Sequence, residues 1–565
     1  MRYSEFVEVY EELSKTTKRL EKEDILAKFF LKLSKHGKSE WVYLLHGRVL
    51  PDYDSREFGI SRQLAIKAMS ISFGIKPEKI LERLKKIGDL GEVAEEFLDK
   101  KKQSRLFSSK LSVDKVFENL NKLFFIEGKG AVDKKMILIS EILVSAEKGE
   151  VKYIIRTLLN DLRIGVAEGT LRDALAKAFF PNEIEMKELI GEAYDLANDY
   201  ALVFEAAVKG KDALQNISLV PGKPMRVMLP IKVIDIHEAF RVCGSPIAIE
   251  HKYDGFRMII HKIDDKIFLF TRKLENVTKQ FPDVVDAVRK YVKGKNFILD
   301  SEVVGYDSKT NKYKPFEAIS QRIKRKYDID KLIEKLPVEI NIFDVVYYND
   351  KNFFLTHFSE RRKLIEKIIP NIEKVIRPSM QFITDNVDEA LEFYKKALKS
   401  GEEGIMIKKL DAPYKPGRLV GYMAKMKPEN TDLDVVIVGA EYGNGKRAGG
   451  LTSYIIACGD NEHSGKFLEI GKVSSGLKEK EQEEGTTYDE MTKLLKPLII
   501  SEKDNIVRVS PKVVVSVTYQ NIQKSLNYSS GFALRFPRIK NYRPDKPLSE
   551  IATLKDIEKE SRELI

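Results

Sequence analysis

The chain has 565 residues and a mass of 64.8 kDa, which exceeds what one hydrophobic core supports, so we expect roughly three or four domains. Lysine and arginine outnumber aspartate and glutamate, 97 against 86, and the net charge of +11 favours a polyanionic partner without identifying one. The chain has only two cysteines, which are too few for a disulfide framework or a four-cysteine zinc module. The sequence lacks a signal peptide and a long apolar run, which predicts a soluble cytoplasmic protein without membrane contact.

The N-terminal part of the chain has helical periodicity. Apolar residues recur at three- and four-residue spacing between Val151 and Leu162. Gly165 is predicted to end that helix, and Thr170 with Asp173 is predicted to begin the next one. We therefore expect an all-α domain over residues 1–218.

The pattern changes after a stretch rich in proline and glycine, Val220-Pro221-Gly222-Lys223-Pro224-Met225. Beyond it the periodicity is two, which is typical of strands. The predicted strands are Ile247 to His251, Phe256 to Ile263 and Ile267 to Thr271, with Asp264-Asp265 as a hairpin turn between the last two. We expect a mixed α/β domain over residues 219–428.

Lys252 is the candidate nucleophile of this middle region. It follows a predicted buried strand, and Asp254-Gly255 predicts a sharp turn that would hold the amine at a pocket edge between two strands. A protonated lysine is a poor nucleophile, so a catalytic lysine needs neighbouring cations, a metal or desolvation. By itself Lys-Tyr-Asp-Gly is more often an ordinary hairpin turn, so its meaning depends on the residues around it.

Several runs accompany Lys252 in a fixed order, and each supplies a group that nucleotidyl transfer requires. Charge builds on phosphoryl oxygens during such a transfer, which calls for cations and a divalent metal. The runs are Glu250-His251-Lys252-Tyr253-Asp254-Gly255-Phe256-Arg257, Thr271-Arg272-Lys273-Leu274-Glu275-Asn276-Val277-Thr278, Leu299-Asp300-Ser301-Glu302, Ile342-Phe343-Asp344, Glu402-Glu403-Gly404-Ile405-Met406-Ile407-Lys408 and Lys425-Met426-Lys427. This series resembles the covalent nucleotidyltransferases, the superfamily of DNA ligases, RNA ligases and messenger-RNA capping enzymes.

The resemblance implies a chemical step and a set of site residues. Lys252 would attack the α-phosphate of a nucleoside triphosphate and keep the nucleoside monophosphate, while pyrophosphate leaves. The other nucleotide contacts that the family implies are Glu250 at the base edge, Phe343 stacked on the base, Arg257 and Arg272 near the sugar and phosphates, and Lys425 and Lys427 on the phosphates.

The resemblance also implies a metal and leaves one position open. Glu302 and Glu403 match the carboxylates at the nucleotide and its metal, and carboxylate oxygens suit Mg²⁺, with Mn²⁺ as a substitute. Many relatives carry an arginine where this chain has Leu419. Arg418 lies one place earlier, and whether it replaces that arginine is left open.

The C-terminal part of the chain is predicted to be a small β-barrel. Short strands separated by glycine-rich turns include Ser453 to Ala457, Phe467 to Ile470 and Val513 to Tyr519. The segment from Leu554 to Leu564 is predicted to form a short charged helix. We expect an OB-fold domain with a C-terminal helix over residues 429–565.

The segments before and after the middle domain distinguish among the members of the superfamily. Gly88 to Glu95 and Asp161 to Thr170 resemble the DNA-binding domain of ATP-dependent DNA ligases of the archaeal and eukaryotic replicative type. Gly531 to Arg538 and Arg543 to Lys546 are similar to the last motif of these ligases, whose basic residues face the leaving pyrophosphate. The resemblance thereby implies ATP as the cofactor, nicked double-stranded DNA as the substrate and a role in DNA replication, repair and recombination.

The high content of Lys and Glu resembles that of proteins from hot environments.

Nick sealing would then follow three steps, namely lysine adenylation, transfer of AMP to the 5′-phosphate of a nick and attack by the 3′-hydroxyl. The core motifs alone leave open an RNA ligase, a capping-type nucleotidyltransferase and a non-catalytic DNA-encircling scaffold. Gln103-Ser104-Arg105-Leu106-Phe107 resembles a short sliding-clamp-binding motif, which would use Gln103, Leu106 and Phe107. A solvated loop with one buried phenylalanine is the alternative for that segment.

Overall fold

The computed structural model of the chain describes residues 1–100, 110–314, 316–324, 329–417, 419–428, 432–443, 447, 449–461, 463, 465–479, 486–503 and 505–563. The chain divides into two compact units. One comprises Met1–Ala65 and Arg105–Lys427, and the other comprises Ile66–Ser104 and Pro428–Ile565. None of the helices in the described ranges combines the length and the apolar character that crossing a bilayer requires.

The N-terminal part is helical, which confirms the predicted periodicity. Its helices are α1 (Ser4–Lys15), α2 (Arg19–Leu33), α3 (Arg62–Phe73), α4 (Pro77–Ile87), α5 (Leu90–Lys100), α6 (Val113–Lys122), α7 (Ala131–Ser145), α8 (Lys148–Leu158), α9 (Glu168–Phe179), α10 (Met186–Ala197), α11 (Tyr200–Lys209) and α12 (Lys211–Gln215). On α8, for example, Val151, Ile154, Ile155 and Leu158 are buried at the three- and four-residue spacing of one helix face.

The predicted boundary between α8 and α9 was wrong in detail. Helix α8 ends at Leu158 rather than at Gly165, because Asn160 and Arg163 adopt left-handed backbone conformations with φ of 53° and 58°. Helix α9 begins at Glu168, after an extended Ala167. The carboxylate of Asp173 accepts hydrogen bonds from Arg19 and Arg172, so it is not used to cap the helix.

The middle part contains two mixed sheets flanked by helices. Its strands are β1 (Leu229–Lys232), β2 (Ile247–Lys252), β3 (Phe256–Ile263), β4 (Lys266–Thr271), β5 (Phe297–Gly305), β6 (Val338–Tyr348), β7 (Lys351–Asn352), β8 (Ile376–Pro378), β9 (Gln381–Thr384), β10 (Gly404–Lys409) and β11 (Leu419–Met426). Its helices are α13 (Ile236–Cys243), α14 (Pro282–Tyr291), α15 (Phe316–Lys324), α16 (Ile329–Lys335), α17 (Phe358–Ile368) and α18 (Val387–Lys399). The five-stranded sheet has the order β1-β11-β10-β2-β9, and the six-stranded sheet has the order β4-β3-β5-β6-β7 with β8 beside β6.

The segment after Lys252 joins these two sheets. Lys252 ends β2 in the five-stranded sheet, and Phe256 begins β3 in the six-stranded sheet. The turn predicted at Asp254-Gly255 is present, but the two strands beside it are not paired with each other. The hairpin predicted at Asp264-Asp265 is confirmed, since β3 pairs with β4 and Asp264 has a φ of 49°.

Apolar residues from both sheets pack together beside the segment that joins them. Ile259 and Ile298 of the six-stranded sheet belong to the same buried cluster as Met423 of the five-stranded sheet. Two further clusters cover the outer faces, one beneath α14 and α17 and one beneath α13 and α18. The two sheets therefore face each other across a partly apolar layer.

The C-terminal part is rich in strands, as predicted. Its elements are β12 (Leu433–Tyr442), β13 (Leu451–Gly459), β14 (Phe467–Val473), α19 (Tyr488–Leu495), β15 (Ile499–Lys503), β16 (Ile506–Val509), β17 (Val514–Thr518), β18 (Ile522–Lys524), β19 (Phe532–Leu534), β20 (Arg538–Tyr542) and α20 (Leu554–Glu563). The sheet has the order β14-β13-β12-β16-β15, with β17 between β12 and β20. Among the described residues, β14 pairs only with β13, so the sheet does not close on itself there. The domain is therefore rich in strands, and a closed barrel is not shown.

A fully buried ion pair joins α17 to β6. Arg361 Nε donates to Asp344 Oδ1 at 2.7 Å, and the same guanidinium donates to the backbone oxygens of Thr356 and Ala412 at 2.5 and 3.1 Å. The side chains of Arg361 and Asp344 are only 1% and 2% exposed. Each charge is therefore compensated by the other and by backbone groups, in a region from which water is excluded.

We predict that Arg361→Ala lowers the free energy of unfolding by about 3–5 kcal/mol, because it leaves the buried Asp344 charge without its partner. Arg289→Ala is the control, because the Arg289–Asp286 pair is exposed by 55% and 75%; its loss is expected to cost less than about 1 kcal/mol. Urea-induced unfolding followed by fluorescence measures both, and equal effects of the two substitutions would contradict the prediction.

Candidate active site

The strand β10 brings the predicted motifs together because it pairs on both sides. Gly404 lies opposite Lys252 of β2, and Ile405 lies opposite Met426 of β11. Glu403 immediately precedes this strand, and its backbone N–H donates to the oxygen of Lys252 at 2.9 Å. Residues that are about 150 positions apart in the chain, Lys252 and Glu403, are thus adjacent in space.

The carboxylate of Glu403 bridges two lysines. Lys252 Nζ donates to one carboxylate oxygen of Glu403, and Lys427 Nζ donates to the other. Burial disfavours the charged carboxylate, but the two ammonium groups outweigh burial and lower the pKa of Glu403. The pKa of Lys427 is lowered by its own burial, against the opposing effect of Glu403.

Glu302 is a carboxylate of a different kind. Burial raises its pKa to about 7, with Lys252 and Arg257 opposing the shift and Asp300 and Glu403 reinforcing it. Within the part of the chain that the structure describes, this carboxylate accepts no hydrogen bond and forms no ion pair. A half-buried carboxylate without a partner suits a cation as its ligand.

Lys425, which the sequence pairs with Lys427 as a phosphate contact, lies on β11 close to Lys427 and Lys252. Its pKa is lowered by burial and by the positive charges of Lys427, Lys252 and Arg272. Arg272 is exposed, directly after β4. Several cations thus lie close enough to repel one another, which is the electrostatic setting that a polyanionic ligand relieves.

Phe343 occupies a β-bulge. Strand β5 pairs Asp300 with Asp344 and Ser301 with Ile342, so Phe343 has no partner on β5. The extra residue turns the half-buried ring away from the core that Ile342 and Val345 enter. Two cations lie over this ring, with Lys408 Nζ 4.6 Å and Arg257 Cζ 5.3 Å from its centroid.

Arg257 is held rigidly by a polar cluster between the sheets. Its guanidinium donates to both carboxylate oxygens of Asp300, at 2.8 and 2.5 Å, and to the backbone oxygen of Met228 at 2.8 Å. Tyr414 donates its hydroxyl to Asp300 Oδ2 at 2.8 Å. These contacts fix the orientation of a planar cation beside the Phe343 ring.

Glu250 lies in β2 at the same face and is only 2% exposed. Lys408 Nζ is 2.7 Å from one of its carboxylate oxygens, and Gln381 Nε2 donates to the other at 3.0 Å. Lys408 Nζ also donates to the backbone oxygen of Phe343 at 3.1 Å. Lys408 therefore connects the residue predicted at the base edge to the residue predicted to stack on the base.

The structure thus gathers Lys252, Glu302, Glu403, Lys425 and Lys427 at one point, and it places Glu250, Arg257 and Phe343 on the facing surfaces beside it. Arg418 and the segment with Gln103, Leu106 and Phe107 lie outside the described residues. The described ranges contain no group of three or more His, Cys, Asp or Glu side chains that could hold a metal. In these ranges a metal would therefore have at most two such side chains as ligands.

Sequence reasoning named no site role for Lys408, Asp300 or Tyr414. The signal for two of them was the period of two along a strand. Asp300 shares a face of β5 with Glu302, and Lys408 shares a face of β10 with Gly404. Tyr414 lies between β10 and β11 and gave no such signal.

Comparison with known proteins gives matches along most of the chain. Family models described as "DNA ligase N terminus", "ATP dependent DNA ligase domain" and "ATP dependent DNA ligase C terminal region" match residues 2–176, 227–427 and 447–546. A DNA ligase of Nanoarchaeum equitans is 44% identical, over 98% of this chain and 97% of the relative. A DNA ligase of Thermococcus onnurineus is 41% identical, over 99% of this chain and 97% of the relative. A solved structure named "Pmar-Lig_Pre." has a similar fold, with a TM-score of 0.60, 18% identity and coverage of 96% of this chain and 99% of that one.

Gly255, in the segment after Lys252, lies against β5. A Cβ atom added there would overlap the backbone oxygen of Val303 and would come within 3.1 Å of Glu302 Cγ. Backbone oxygens cannot move aside as flexible side chains can, so only glycine fits. Gly471 of β14 is a suitable comparison, because the nearest atom to an added Cβ would be 3.7 Å away, an ordinary contact.

We predict that Gly255→Ala destabilises the protein by about 1–3 kcal/mol, as overpacking does, and displaces Glu302. Gly471→Ala is expected to have a much smaller effect. Thermal unfolding of the two variants measures the difference. A melting temperature of Gly255→Ala equal to that of the unsubstituted protein would show that the segment has room for a methyl group.

Proposed function

The chain belongs to the family of ATP-dependent DNA ligases, enzymes that seal nicks in duplex DNA, and from that membership we propose that Lys252 carries the adenylate. The observation that supports this most directly is the Glu403 carboxylate between Lys252 and Lys427. It presents the Lys252 amine in a cluster of cations that a triphosphate would neutralise.

The first step forms a bond between Lys252 Nζ and the α-phosphorus of ATP. The ammonium loses a proton to solvent and so frees its lone pair, the P–N bond forms, and the bond from the α-phosphorus to the bridging oxygen of pyrophosphate breaks. Glu403 holds the amine in place, and Lys425 and Lys427 stabilise the charge that develops on the phosphoryl oxygens. Fixed cations do this without reorganising during the reaction.

The base and sugar contacts are assigned to the surfaces beside the lysine. We assign Phe343 to stacking on adenine, because its bulge turns the ring away from the core. Glu250 is assigned to the edge of the base, with Lys408 fixing its carboxylate. Arg257 and Arg272 are assigned to the sugar and phosphates.

Mg²⁺ is the proposed metal, with Mn²⁺ as a substitute. The partnerless Glu302 carboxylate and the nearby Glu403 fit such an ion, because Mg²⁺ in proteins is often bound by only one or two carboxylates together with substrate phosphates and water. When bound, the ion would neutralise charge on the triphosphate.

We propose three functional domains, which would engage the duplex mainly through its phosphates. They are a helical DNA-binding domain over 1–218, an adenylation domain over 219–428 and an OB-fold domain over 429–565. The change from helices to strands between Gln215 and Leu229 supports the first boundary. The family models that match 2–176, 227–427 and 447–546 are consistent with these limits.

We predict that Lys252→Ala abolishes covalent labelling of the protein by α-labelled ATP and Mg²⁺ in the absence of DNA, because the substitution removes the amine that would carry AMP. Lys266→Ala, an exposed lysine of the β3–β4 hairpin, should label normally. Labelling is read on a denaturing gel. A labelled Lys252→Ala protein would overturn the assignment, and labelling by GTP alone would favour a capping-type enzyme.

Glu302→Gln is predicted to raise the Mg²⁺ concentration for half-maximal labelling at least about tenfold, because one carboxylate ligand is lost. Chelation of the metal should stop labelling, and Mn²⁺ should restore it. Glu275→Gln, an exposed glutamate after β4, is the control. An unchanged Mg²⁺ requirement in Glu302→Gln would remove that residue from the metal site.

We also propose that Gln103, Leu106 and Phe107 bind a sliding clamp, which would place the enzyme in DNA replication, repair and recombination. Phe107→Ala is predicted to weaken clamp binding at least about tenfold, as expected for the loss of an aromatic anchor, with labelling by ATP unchanged. Lys110→Ala is the matched control. Surface plasmon resonance on an immobilised clamp measures the affinities, and equal affinity of Phe107→Ala and the unsubstituted protein would reject the motif.

A further inference from the structure

The carboxylate of Glu250 is held at both of its oxygens. Lys408 Nζ lies 2.7 Å from Oε2, and the side-chain amide of Gln381 donates from Nε2 to Oε1 at 3.0 Å. Beside a carboxylate the amide presents its N–H group, because its oxygen would face another acceptor. Arg362 Nη1 is farther from Oε1, at 3.8 Å, and donates instead to the backbone oxygen of Ser379 at 2.8 Å. Of these two donors, Gln381 is therefore the one that fixes Oε1.

The backbone places Gln381 beside Glu250. Strand β9 pairs with β2, and Gln381 lies directly opposite Glu250 in that pair. Opposed residues of an antiparallel pair share one face of the sheet, so the two side chains lie on the same side. The next residue, Phe382, lies on the other face and stacks on Phe393 of α18, with the ring centroids 5.8 Å apart. This alternation fixes which face of the sheet Gln381 occupies.

The chain passes from one sheet to the other just before Gln381. Strand β8 ends at Pro378 beside β6, and β9 begins at Gln381 in the five-stranded sheet. Between them, the backbone N–H of Ser379 donates to the oxygen of Ile342 at 2.7 Å. Ile342 directly precedes Phe343, the ring assigned to the base. Backbone contacts therefore fix Gln381 relative to that ring as well as to Glu250.

The second donor changes what the Glu250 carboxylate can recognise. The last torsion of a glutamate side chain is broad, so one donor on one oxygen leaves the plane of the carboxylate free to turn. A donor on the other oxygen fixes that plane. A carboxylate only accepts hydrogen bonds, so a fixed one favours a base edge that presents N–H groups and repels an edge that presents an oxygen. Adenine carries an amino group at position 6, whereas guanine carries an oxygen there.

We propose that Gln381 is a positioning residue that sets the base specificity of adenylation: it fixes the plane of the Glu250 carboxylate so that this group accepts from the 6-amino group of adenine. The inference rests on the proposed function, in which Glu250 lies at the edge of the base. Gln381 acts through Glu250 and not on the nucleotide. A guanine base would bring its oxygen against the same fixed carboxylate and is therefore disfavoured.

The test measures covalent labelling of the full-length protein over a range of concentrations of α-labelled ATP, GTP and purine riboside triphosphate, which has the adenine ring without its 6-amino group. For Gln381→Met, which keeps the length of the side chain and removes its donor, the ATP concentration for half-maximal labelling should rise about tenfold, the effect of losing one hydrogen bond to a charged group. The maximal rate should not change, because Lys252 and the cations around it are unaltered. Gln63→Met, at an exposed glutamine of α3, is the control.

Purine riboside triphosphate distinguishes the proposed role from a purely structural one. The unsubstituted protein should need a higher concentration of this analogue than of ATP. Gln381→Met should need the same concentration of the analogue as the unsubstituted protein does, because the amino group that Glu250 would contact is missing. The preference for ATP over GTP should fall in the variant by the same factor as the ATP requirement rises.

An equal rise in the requirement for ATP and for the analogue would overturn the inference, because it would show a general loss of structure. An unchanged ATP requirement in Gln381→Met would overturn it as well, and so would an unsubstituted protein that uses the analogue as readily as ATP. Failure of the unsubstituted protein to form any adduct, or normal labelling of Lys252→Ala, would instead contradict the proposed function.

Discussion

The ion pairs of Glu403 with Lys252 and Lys427 are the interaction on which the site depends. A pocket for a triphosphate must gather cations, and gathered cations repel one another when the ligand is absent. Glu403 offsets part of that repulsion because it accepts from both lysines. Its place follows from the pairing of β10 with β2 on one side and with β11 on the other, which brings the ends of both neighbouring strands to the same point.

The facing sheet supplies the rest of the site through two local features. The bulge at Phe343 turns an aromatic ring out of the core, and the Arg257–Asp300–Tyr414 cluster holds a planar cation beside it. Both lie next to the apolar layer that packs the sheets together. The same packing that stabilises the domain therefore fixes the distance between the nucleophile and the groups assigned to the base.

Local periodicity predicted the strands β2, β3 and β4 and the hairpin at Asp264, because alternating burial and turn residues are local properties. It could not show that Lys252 lies where the chain passes from one sheet to the other, since that depends on pairing with β10, about 150 residues later. The family motifs named Glu403, Glu302 and Phe343, but they did not show that Lys408 connects Glu250 to Phe343. The predicted start of α9 was wrong because Asp173 pairs with arginines, which the sequence pattern does not reveal.

Peptide mapping of the adenylated protein by mass spectrometry tests the central claim most directly. We expect AMP on the peptide that contains Lys252. After nicked duplex is added, AMP should move to the 5′-phosphate, and the nick should then be sealed. AMP on a different lysine, or an adduct on Lys252 that nicked DNA does not discharge, would contradict this claim.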